Sequence, residues 1–197
     1  MSRAEQKAQT RKRIIEAAAR GFRKSGFEGL GVDGLAKQAG VTSGSFYVHF
    51  DSKAVAFREA VSLGMQELEE GVLHFQATHG KAWWPEFVRF YLGMKRTCDL
   101  AESCTLQSLS PELARADDAS RQAFEAGFRG VAEAILAGPR SPGAPRDLDA
   151  ACFALASLVG AVTLSRAVGS AALSRQIAES AGRALLGSNW VAEGAGV

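Results

Sequence analysis

The sequence contains few cysteines and no long uninterrupted apolar run. Both shortages indicate in which cellular compartment the protein is expected. It has three cysteines in 197 residues. That odd number, without a closely spaced pair, fits a reducing cytoplasm better than a disulfide framework. The polar start MSRAEQKAQTRKR is not followed by an apolar core, so we expect no signal peptide. No apolar run is expected to reach membrane-spanning length without a charge or a break. The sequence therefore predicts a cytoplasmic protein with no membrane partner.

The residue patterns that mark enzymes and metal sites are also missing. We find no nucleophile elbow, phosphate-binding loop, paired carboxylates or metal-ligand spacing. His74 and His79 lie five residues apart on a predicted helix and have no nearby cysteine that would complete a zinc site. We therefore predict no catalytic residues, no metal and no cofactor. An enzyme built on a helical body is an alternative that turnover of a bound small molecule would support.

Helical periodicity dominates the chain, no convincing strand run is present, and an all-α fold is predicted. Apolar residues recur at steps of three and four in helices predicted over residues 3–25, from 53 to about 78, and over 118–137. Further helices are expected from about residue 84, over 104–115, over 147–168 and over 173–186. The prolines and glycines of GPRSPGAPR, residues 138–146, predict a linker. Residues 187–197 are expected to form a frayed tail.

The charges are unevenly distributed along the chain. Residues 1–53 contain 10 Lys and Arg against 5 Asp and Glu, whereas the remainder contains 13 against 16. A basic N-terminal quarter on an acidic body is typical of a nucleic-acid-binding end with a separate body. Taken alone, the imbalance is equally compatible with a solvated face. We expect two domains, residues 1–53 and residues 54–197.

The stretch LAKQAGVTSGSFYVHFDSK, residues 35–53, predicts two short helices joined by a tight turn. Gly40 stands where the first helix needs a left-handed residue in order to end. Val41 can fill the angle between the two crossing helices. Thr42 or Ser43 can then cap the second helix by accepting bonds from its backbone N–H groups. This is the layout of a helix-turn-helix, whose second helix enters the DNA major groove.

Together with RIIEAAARGFRKSGFEG before it, VDGLAKQAGVTSGSFYVHFDSK resembles the DNA-binding region of the TetR family of transcriptional regulators. The glycine after the first helix, the AGV turn, the aromatic pair, His-Phe and Ser-Lys occur in the family's order over the first quarter of the chain. The resemblance implies an N-terminal three-helix DNA-binding domain and a C-terminal helical domain for ligand binding and dimerisation. Two departures are Gly31, where the family usually has a Ser or Thr cap, and Gly34 inside the same helix. Both predict a less rigid DNA-binding part.

The resemblance and the position of the second helix together indicate which residues meet DNA. Side chains at its N-terminal end reach base edges, and backbone N–H groups there can bind a phosphate. By analogy with the family, Tyr47 and Lys53 are expected on phosphates and His49 near the backbone; packing is the alternative for Tyr47 and helix capping for His49. Arg3 and Lys7 are expected to reach a groove or phosphates if the arm orders on DNA. The full predicted set is Thr42, Ser43, Gly44, Ser45, Tyr47, His49, Lys53, Arg3 and Lys7.

The resemblance also implies an effector pocket in the body, and such pockets are lined mostly by aromatic side chains. The candidates are Trp83, Phe87, Phe90, Tyr91, Met94, Cys104, Phe124 and Phe128. For each aromatic residue, a place in the core is the alternative. Cys104 resembles, in position, a cysteine that opens a mid-body helix in one branch of the family, and some relatives sense electrophiles by thiol modification. An inert buried residue is the alternative for Cys104.

A dimer needs a self-complementary apolar face. We expect that face on the final helical pair, at Leu155, Leu158, Ala161, Leu164, Ile177, Ala181 and Leu185. In isolation such residues are more often intrachain core, but a palindromic site requires two DNA-binding heads, which favours a dimer.

The sequence thus predicts a sequence-specific, DNA-binding transcriptional regulator. It would bind a palindromic double-stranded operator as a homodimer and act as a repressor that a small, largely apolar effector releases. A structural or nucleoid DNA-binding protein without a ligand is the alternative from another class. An activator is equally compatible, because the sign of regulation depends on where the operator lies.

Overall fold

The computed structural model describes residues 2–190, and all regular structure in that part of the chain is helical. The α-helices are α1 (Arg3–Ser25), α2 (Val32–Ala39), α3 (Ser43–His49), α4 (Lys53–His79), α5 (Trp83–Thr97), α6 (Thr105–Leu113), α7 (Asp118–Ala137), α8 (Leu148–Ala167) and α9 (Ala171–Leu186). Short 3-10 turns cover Gly80–Ala82, Leu100–Glu102 and Gly187–Asn189. The predicted all-α fold is confirmed.

These helices belong to two compact units. The first unit ends at Gln66 and resumes from Asp99 to Gly127, and the second contains Glu67–Cys98 and the chain from Phe128 onward. Helix α6 and the first half of α7 therefore lie in the same unit as α1, α2 and α3. The predicted boundary after residue 53 stays a prediction of where the DNA-binding part ends.

The core of the first unit forms around one face of α1. Ile14, Ala18 and Phe22 are fully buried, at the helical spacing that the sequence shows. The Phe22 ring meets the Phe57 ring edge-on, with centroids 5.2 Å apart. Arg23, near the end of α1, is buried, and its Nε donates to the Ala101 carbonyl at 2.8 Å. This bond fixes the end of α1 to the 3-10 turn before α6.

In the second unit, α5 holds the segment that joins α7 to α8. Trp83 is completely buried, and its indole Nε1 donates to the Pro139 carbonyl at 2.9 Å. The backbone N of Trp84 donates to Ser141 Oγ at 3.2 Å. The predicted linker, residues 138–146, is therefore fastened to α5 at two points, because its polar groups serve as hydrogen-bond partners for the tryptophans.

The predicted tail begins with a packed segment. Trp190 is half-buried, and its ring lies against Gly182 so closely that an added Cβ there would meet ring carbon Cδ2 at 2.5 Å. The expectation of fraying is thus corrected for residues 187–190, because the missing side chain at 182 makes room for the indole. Residues 191–197 lie outside the described residues.

Helix α8 is strongly apolar. Its most apolar 18-residue window has a mean hydropathy of 1.8, enough by length and composition alone to cross a bilayer. Every window of that length in the helix contains Asp149 or Arg166, so the expectation that no run reaches membrane-spanning length without a charge or a break is not contradicted. Ala151, Leu155 and Leu158 are nevertheless buried where α8 packs on α5 and α9. A core helix meets the same criteria, so the helix is weak evidence for a membrane.

Candidate nucleic-acid interface

The turn between α2 and α3 has the geometry expected of a helix-turn-helix. Gly40 ends α2 in the left-handed region, with φ 66° and ψ 39°, where a residue without Cβ is unstrained. The backbone N of Val41 donates to the Ala36 carbonyl at 2.9 Å. Thr42 Oγ1 accepts a hydrogen bond from the backbone N of Ser45 at 3.1 Å. The structure thus confirms Gly40 as the terminator and selects Thr42 rather than Ser43 as the cap.

One face of α3 is fixed against its neighbours. Phe46 and Phe50 are 0% and 1% exposed, and their ring centroids lie 5.5 Å apart. The Arg11 guanidinium lies 4.8 Å from the Phe50 ring centroid and forms an ion pair with Glu59. Arg11 of α1 and Phe46 of α3 therefore both contact Phe50, and Glu59 of α4 pairs with that arginine, which leaves the opposite side of α3 to solvent.

The solvent-facing side of α3 contains Gly44, Tyr47 and Val48. Tyr47 is 56% exposed and Val48 is 67% exposed. Sequence reasoning missed Val48, although its place opposite Phe46 and Phe50 on a helical wheel was available as a signal. An exposed valine inside a seven-residue helix has methyl groups suited to contact with a thymine methyl. We add Val48 to the candidate DNA-contacting residues.

Two serines of α3 differ in their surroundings. Ser43 is half-exposed, and its hydroxyl donates to Asp33 Oδ1 in the first turn of α2. Ser45 is also half-exposed, and its backbone N–H is used by the Thr42 cap. Asp33 is not among the residues that the sequence indicated for DNA binding, and its contact with Ser43 was missed. No sequence signal specified that contact, because it depends on the angle between α2 and α3.

Lys53, the first residue of α4, is tied to the loop between α1 and α2. Its Nζ donates to the Phe27 carbonyl at 3.0 Å and lies 4.1 Å from the Phe27 ring centroid. An ammonium has three N–H donors, so this carbonyl uses one and leaves two for a phosphate. The side chain is half-buried, which makes its position better defined than that of a free surface lysine.

His49, at the end of α3, lies beside the basic face of α1. Its Nδ1 is buried and has no hydrogen-bond partner within residues 2–190. Burial lowers the pKa of His49 below its ordinary value of 6.5, and the positive charges of Lys7 and Arg11 lower it further. His49 is therefore neutral at pH 7, and it can accept or donate a hydrogen bond but carries no charge.

The N-terminal arm that contains Arg3 and Lys7 is part of α1. The helix begins at Arg3, and Ser2 and Glu5 cap it reciprocally: Ser2 Oγ accepts from the Glu5 backbone N at 3.2 Å, and Ser2 N donates to Glu5 Oε2 at 2.6 Å. Arg3 and Lys7 are both exposed. The capping box supplies the first turn with its own partners, so this arm is helical without DNA, and contact of Arg3 and Lys7 with a groove or phosphates stays a prediction.

Comparison with known proteins places this interface in a family. Residues 14–60 match the family model "Bacterial regulatory proteins, tetR family". The chain is similar to the uncharacterized HTH-type transcriptional regulator YdgC of Bacillus subtilis, with 41% identity over 54 residues, covering 27% of this chain and 28% of that protein. It is also similar to the HTH-type transcriptional regulator AcrR of Shigella flexneri, with 37% identity over 69 residues, covering 35% and 32%. The matched region thus spans about a third or less of each relative's length.

Two solved structures share the fold over most of the chain. The reduced form of Escherichia coli NemR has a TM-score of 0.71 and 19% identity, covering 90% of this chain and 95% of that one. A TetR-family transcriptional regulator from Agrobacterium tumefaciens has a TM-score of 0.71 and 20% identity, covering 91% and 99%. Residues 14–60 therefore match the DNA-binding region of the TetR family, and the chain shares the fold of these two structures.

The predicted effector residues are divided between the two units. Cys104 and Phe124 lie in the first unit, and the second contains Trp83, Phe87, Phe90, Tyr91, Met94 and Phe128. Trp83, Phe87 and Tyr91 are at most 2% exposed, and the Phe87 and Tyr91 ring centroids lie 5.9 Å apart. Met94 is 45% exposed, and Cys104 is buried. The aromatic residues of α5 therefore serve as core, and their effector role stays a prediction.

The first unit contains a cavity of about 420 Å³ that includes none of these predicted residues. Its lining combines an aromatic floor with carboxylates and one arginine. The lining residues are Phe27, Glu28, Ala54, Phe57, Glu112, Arg115, Ala116, Asp117 and Ser120. Hydrogen bonds from the Ser120 side chain and backbone lower the pKa of Asp117 below its ordinary value. Within the described residues, no three His, Cys, Asp or Glu side chains form a group that could hold a metal.

The predicted dimer face requires a correction. Leu155, Leu158 and Ala161 are 1%, 0% and 7% exposed within the single chain, so they form its own core and are not available to a partner. Leu164 is 58% exposed, and Phe153, which the prediction omitted, is 62% exposed. Ile177, Ala181 and Leu185 of α9 are half-buried. The apolar residues of α8 thus occupy two faces, and only the one with Phe153 and Leu164 remains uncovered.

Proposed function

We propose that the protein is a sequence-specific, DNA-binding transcriptional repressor that a small, largely apolar effector releases from its operator. The observation that carries the proposal is the exposed surface of α3, where Gly44, Tyr47 and Val48 face solvent while Phe46 and Phe50 are buried. A short helix held on one face and open on the other is suited to enter a major groove.

The charges beside α3 support the same assignment. Arg3 and Lys7 are exposed on α1, and Lys7 lies close enough to His49 to lower its pKa. Positive side chains at one end of the helix can meet the phosphates on either side of the groove. Tyr47 and Lys53 supply a hydroxyl and an ammonium for the same backbone, while the N-terminal end of α3 faces the base edges.

A homodimer follows from the exposed apolar face of α8. Phe153 and Leu164 lie on one side of the helix, and between them Gly160 has no atom within 4 Å of an added Cβ. A second copy related by a two-fold axis would bury both side chains and approach closely at Gly160. Two copies of α3 would then meet two half-sites of a palindromic operator.

The aromatic rings of the second unit support release by an effector. An aromatic cluster in the second unit contains Phe75, Phe87 and Phe90. The ring centroid of Phe75 lies 5.6 Å from that of Phe87 and 5.2 Å from that of Phe90. A ligand that inserts among such rings would be apolar, because burial of unpaired polar atoms costs free energy. It would act by favouring a conformation whose two DNA-binding parts no longer fit the half-sites.

The test of DNA recognition is selection from random duplexes with the purified full-length protein. We expect a palindromic motif and binding to it that is at least about a thousandfold tighter than to unrelated DNA. Tyr47→Phe, which removes only the hydroxyl, should weaken binding to all sequences alike. Binding without any enriched motif would contradict the proposal and favour a nucleoid protein.

The test of release uses the selected operator. A panel of small apolar molecules is added to the protein–operator complex, and fluorescence anisotropy of the labelled DNA is measured. A compound that lowers the affinity for the operator while raising the thermal stability of the free protein would support the proposal. Release without binding to the protein, or binding of many compounds without release, would count against effector control.

A further inference from the structure

Asp33 and Ser43 connect the starts of two successive helices. Asp33 is exposed in the first turn of α2, and Ser43 is the first residue of α3. The Ser43 hydroxyl donates its hydrogen to Asp33 Oδ1. This contact is made on the same end of α3 that the proposed function places against base edges.

The direction of this hydrogen bond limits what Ser43 can recognise. A serine hydroxyl has one hydrogen to donate and two lone pairs that accept. A carboxylate is a strong acceptor, and hydrogen bonds to ionised groups are about twice as strong as neutral ones. With its hydrogen held by Asp33, Ser43 offers a base only its lone pairs. In the major groove, the donors that match them are the N4 amino group of cytosine and the N6 amino group of adenine.

The neighbouring Thr42 has the opposite arrangement. Its Oγ1 accepts the backbone N–H of Ser45 at 3.1 Å, so one lone pair is used and its hydrogen is free to donate. A donor in this groove finds guanine N7 and O6, adenine N7 and thymine O4. Two adjacent hydroxyl residues, which look equivalent in sequence, therefore present different polarities to DNA.

We infer that Asp33 is a positioning residue that makes Ser43 an acceptor and so selects an amino-bearing base, cytosine or adenine, at one position in each half-site. This inference rests on the proposed function, because it requires that α3 meet base edges. Asp33 need not touch DNA for this role. It acts by orienting the hydroxyl of Ser43.

The experiment compares base preferences of the full-length protein and three variants, Asp33→Ala, Ser43→Ala and the double variant, by selection from random duplexes. At one symmetric position the wild type should prefer cytosine or adenine by about fivefold, the scale of one hydrogen bond. Asp33→Ala should admit guanine or thymine there, because the Ser43 hydrogen becomes free to donate. Ser43→Ala should lose the preference, and adding Asp33→Ala to it should change nothing further.

A second measurement changes the DNA and tests the wild-type protein directly, with Ser43→Ala as its control. In the selected operator, the amino group at that position is deleted by placing purine for adenine or 2-pyrimidinone for cytosine. The wild type should lose about fivefold in affinity, and Ser43→Ala should be indifferent to the deletion. Circular dichroism and thermal melting show whether each variant is folded.

The outcomes separate this inference from the proposed function. If the wild type selects no motif, the proposed function fails. If it selects a motif but folded Asp33→Ala keeps the wild-type preference at every position, Asp33 does not position Ser43. The inference is also overturned if Asp33→Ala still changes the base preference in the Ser43→Ala background. It is overturned as well if the wild type binds the amino-deleted operator as tightly as the intact one.

Discussion

Gly64 on α4 lies directly against Thr105 at the start of α6. A Cβ added at residue 64 would be 2.7 Å from Thr105 Cβ, closer than two carbons can approach without displacement. Thr105 is buried, and its Oγ1 accepts a hydrogen bond from Arg23 Nη1 at 3.3 Å. The absent side chain at 64 thus lets α4 and α6 meet where the buried arginine is satisfied.

This contact predicts opposite effects for two glycines of α4. Gly64→Ala should destabilise the protein by about 1–3 kcal/mol, because Thr105 must move and its bond to Arg23 is disturbed. Gly71→Ala should stabilise it by up to about 1 kcal/mol, because nothing lies within 4 Å of an added Cβ and alanine favours a helix. Urea unfolding of both variants measures the difference. Equal effects would show that packing at Thr105 does not matter.

The two glycines illustrate what could be predicted from the sequence. Helix propensity alone assigns both glycines the same cost, and only the packing of α6 distinguishes them. The α2–α3 turn was predictable because Gly40 and Thr42 act within a few residues of themselves.

The sequence did not indicate how residues on different helices pack and bond with one another. Apolar spacing alone could not assign Leu155 and Leu158 to the core and Phe153 to the surface, because all lie on an almost uniformly apolar helix. The contact between Asp33 and Ser43 depends on the angle at which α2 and α3 cross. Neither the division of α8 into a buried and an exposed face nor the contact between Asp33 and Ser43 has a signature in local sequence.

A missing cap on α2 can be supplied. Gly31 precedes the helix in extended conformation, with φ −80° and ψ 167°, and makes no side-chain cap bond. An added Cβ would meet nothing within 4 Å. Gly31→Ser should therefore raise the free energy of unfolding by a few tenths of a kcal/mol, whereas Gly31→Ala, without an acceptor, should lower it. Thermal melting of the pair tests this, and a Ser variant no more stable than the Ala variant would show that the cap does not form.

The charge of Lys53 can be separated from its role in the loop. Lys53→Met keeps most of the apolar stem and removes the ammonium. If Lys53 binds a phosphate, the slope of log affinity against log salt should fall in magnitude by about 1 per protomer. Lys81→Met, at an exposed residue of the second unit, should leave the slope unchanged. A lower melting temperature with an unchanged slope would assign Lys53 only to the contact with Phe27.

The protonation of His49 should couple to DNA binding. In the free protein its pKa lies below the ordinary 6.5 because of burial, Lys7 and Arg11. A nearby phosphate favours the charged imidazolium and raises that pKa, so affinity should increase as the pH falls from 7.5 to 5.5. The unfolded chain binds its proton more readily than the folded free protein, so stability without DNA should decrease over the same range.

Titration of DNA affinity and of urea unfolding at several pH values checks both directions. His49→Gln should flatten each pH dependence, and His74→Gln, at an exposed residue of α4, should leave them as in the wild type. An affinity that falls on acidification, or a dependence that survives in His49→Gln, would exclude a phosphate next to His49.

The exposed face of α8 predicts which substitutions would dissociate the proposed homodimer. Phe153→Glu and Leu164→Glu should each shift the protein toward the monomer, because a carboxylate would have to be buried against an apolar partner surface. Both side chains are mostly exposed in the single chain, so the monomer should keep its melting temperature under conditions where no dimer forms.

Leu73→Glu is the matched control, since Leu73 is 47% exposed on α4 and lies outside α8 and α9. Light scattering after size exclusion gives the mass of each variant. A dimer that persists in both α8 variants would place the interface elsewhere, and a monomeric variant that still binds the full palindrome as tightly as the wild type would remove the need for a dimer on DNA.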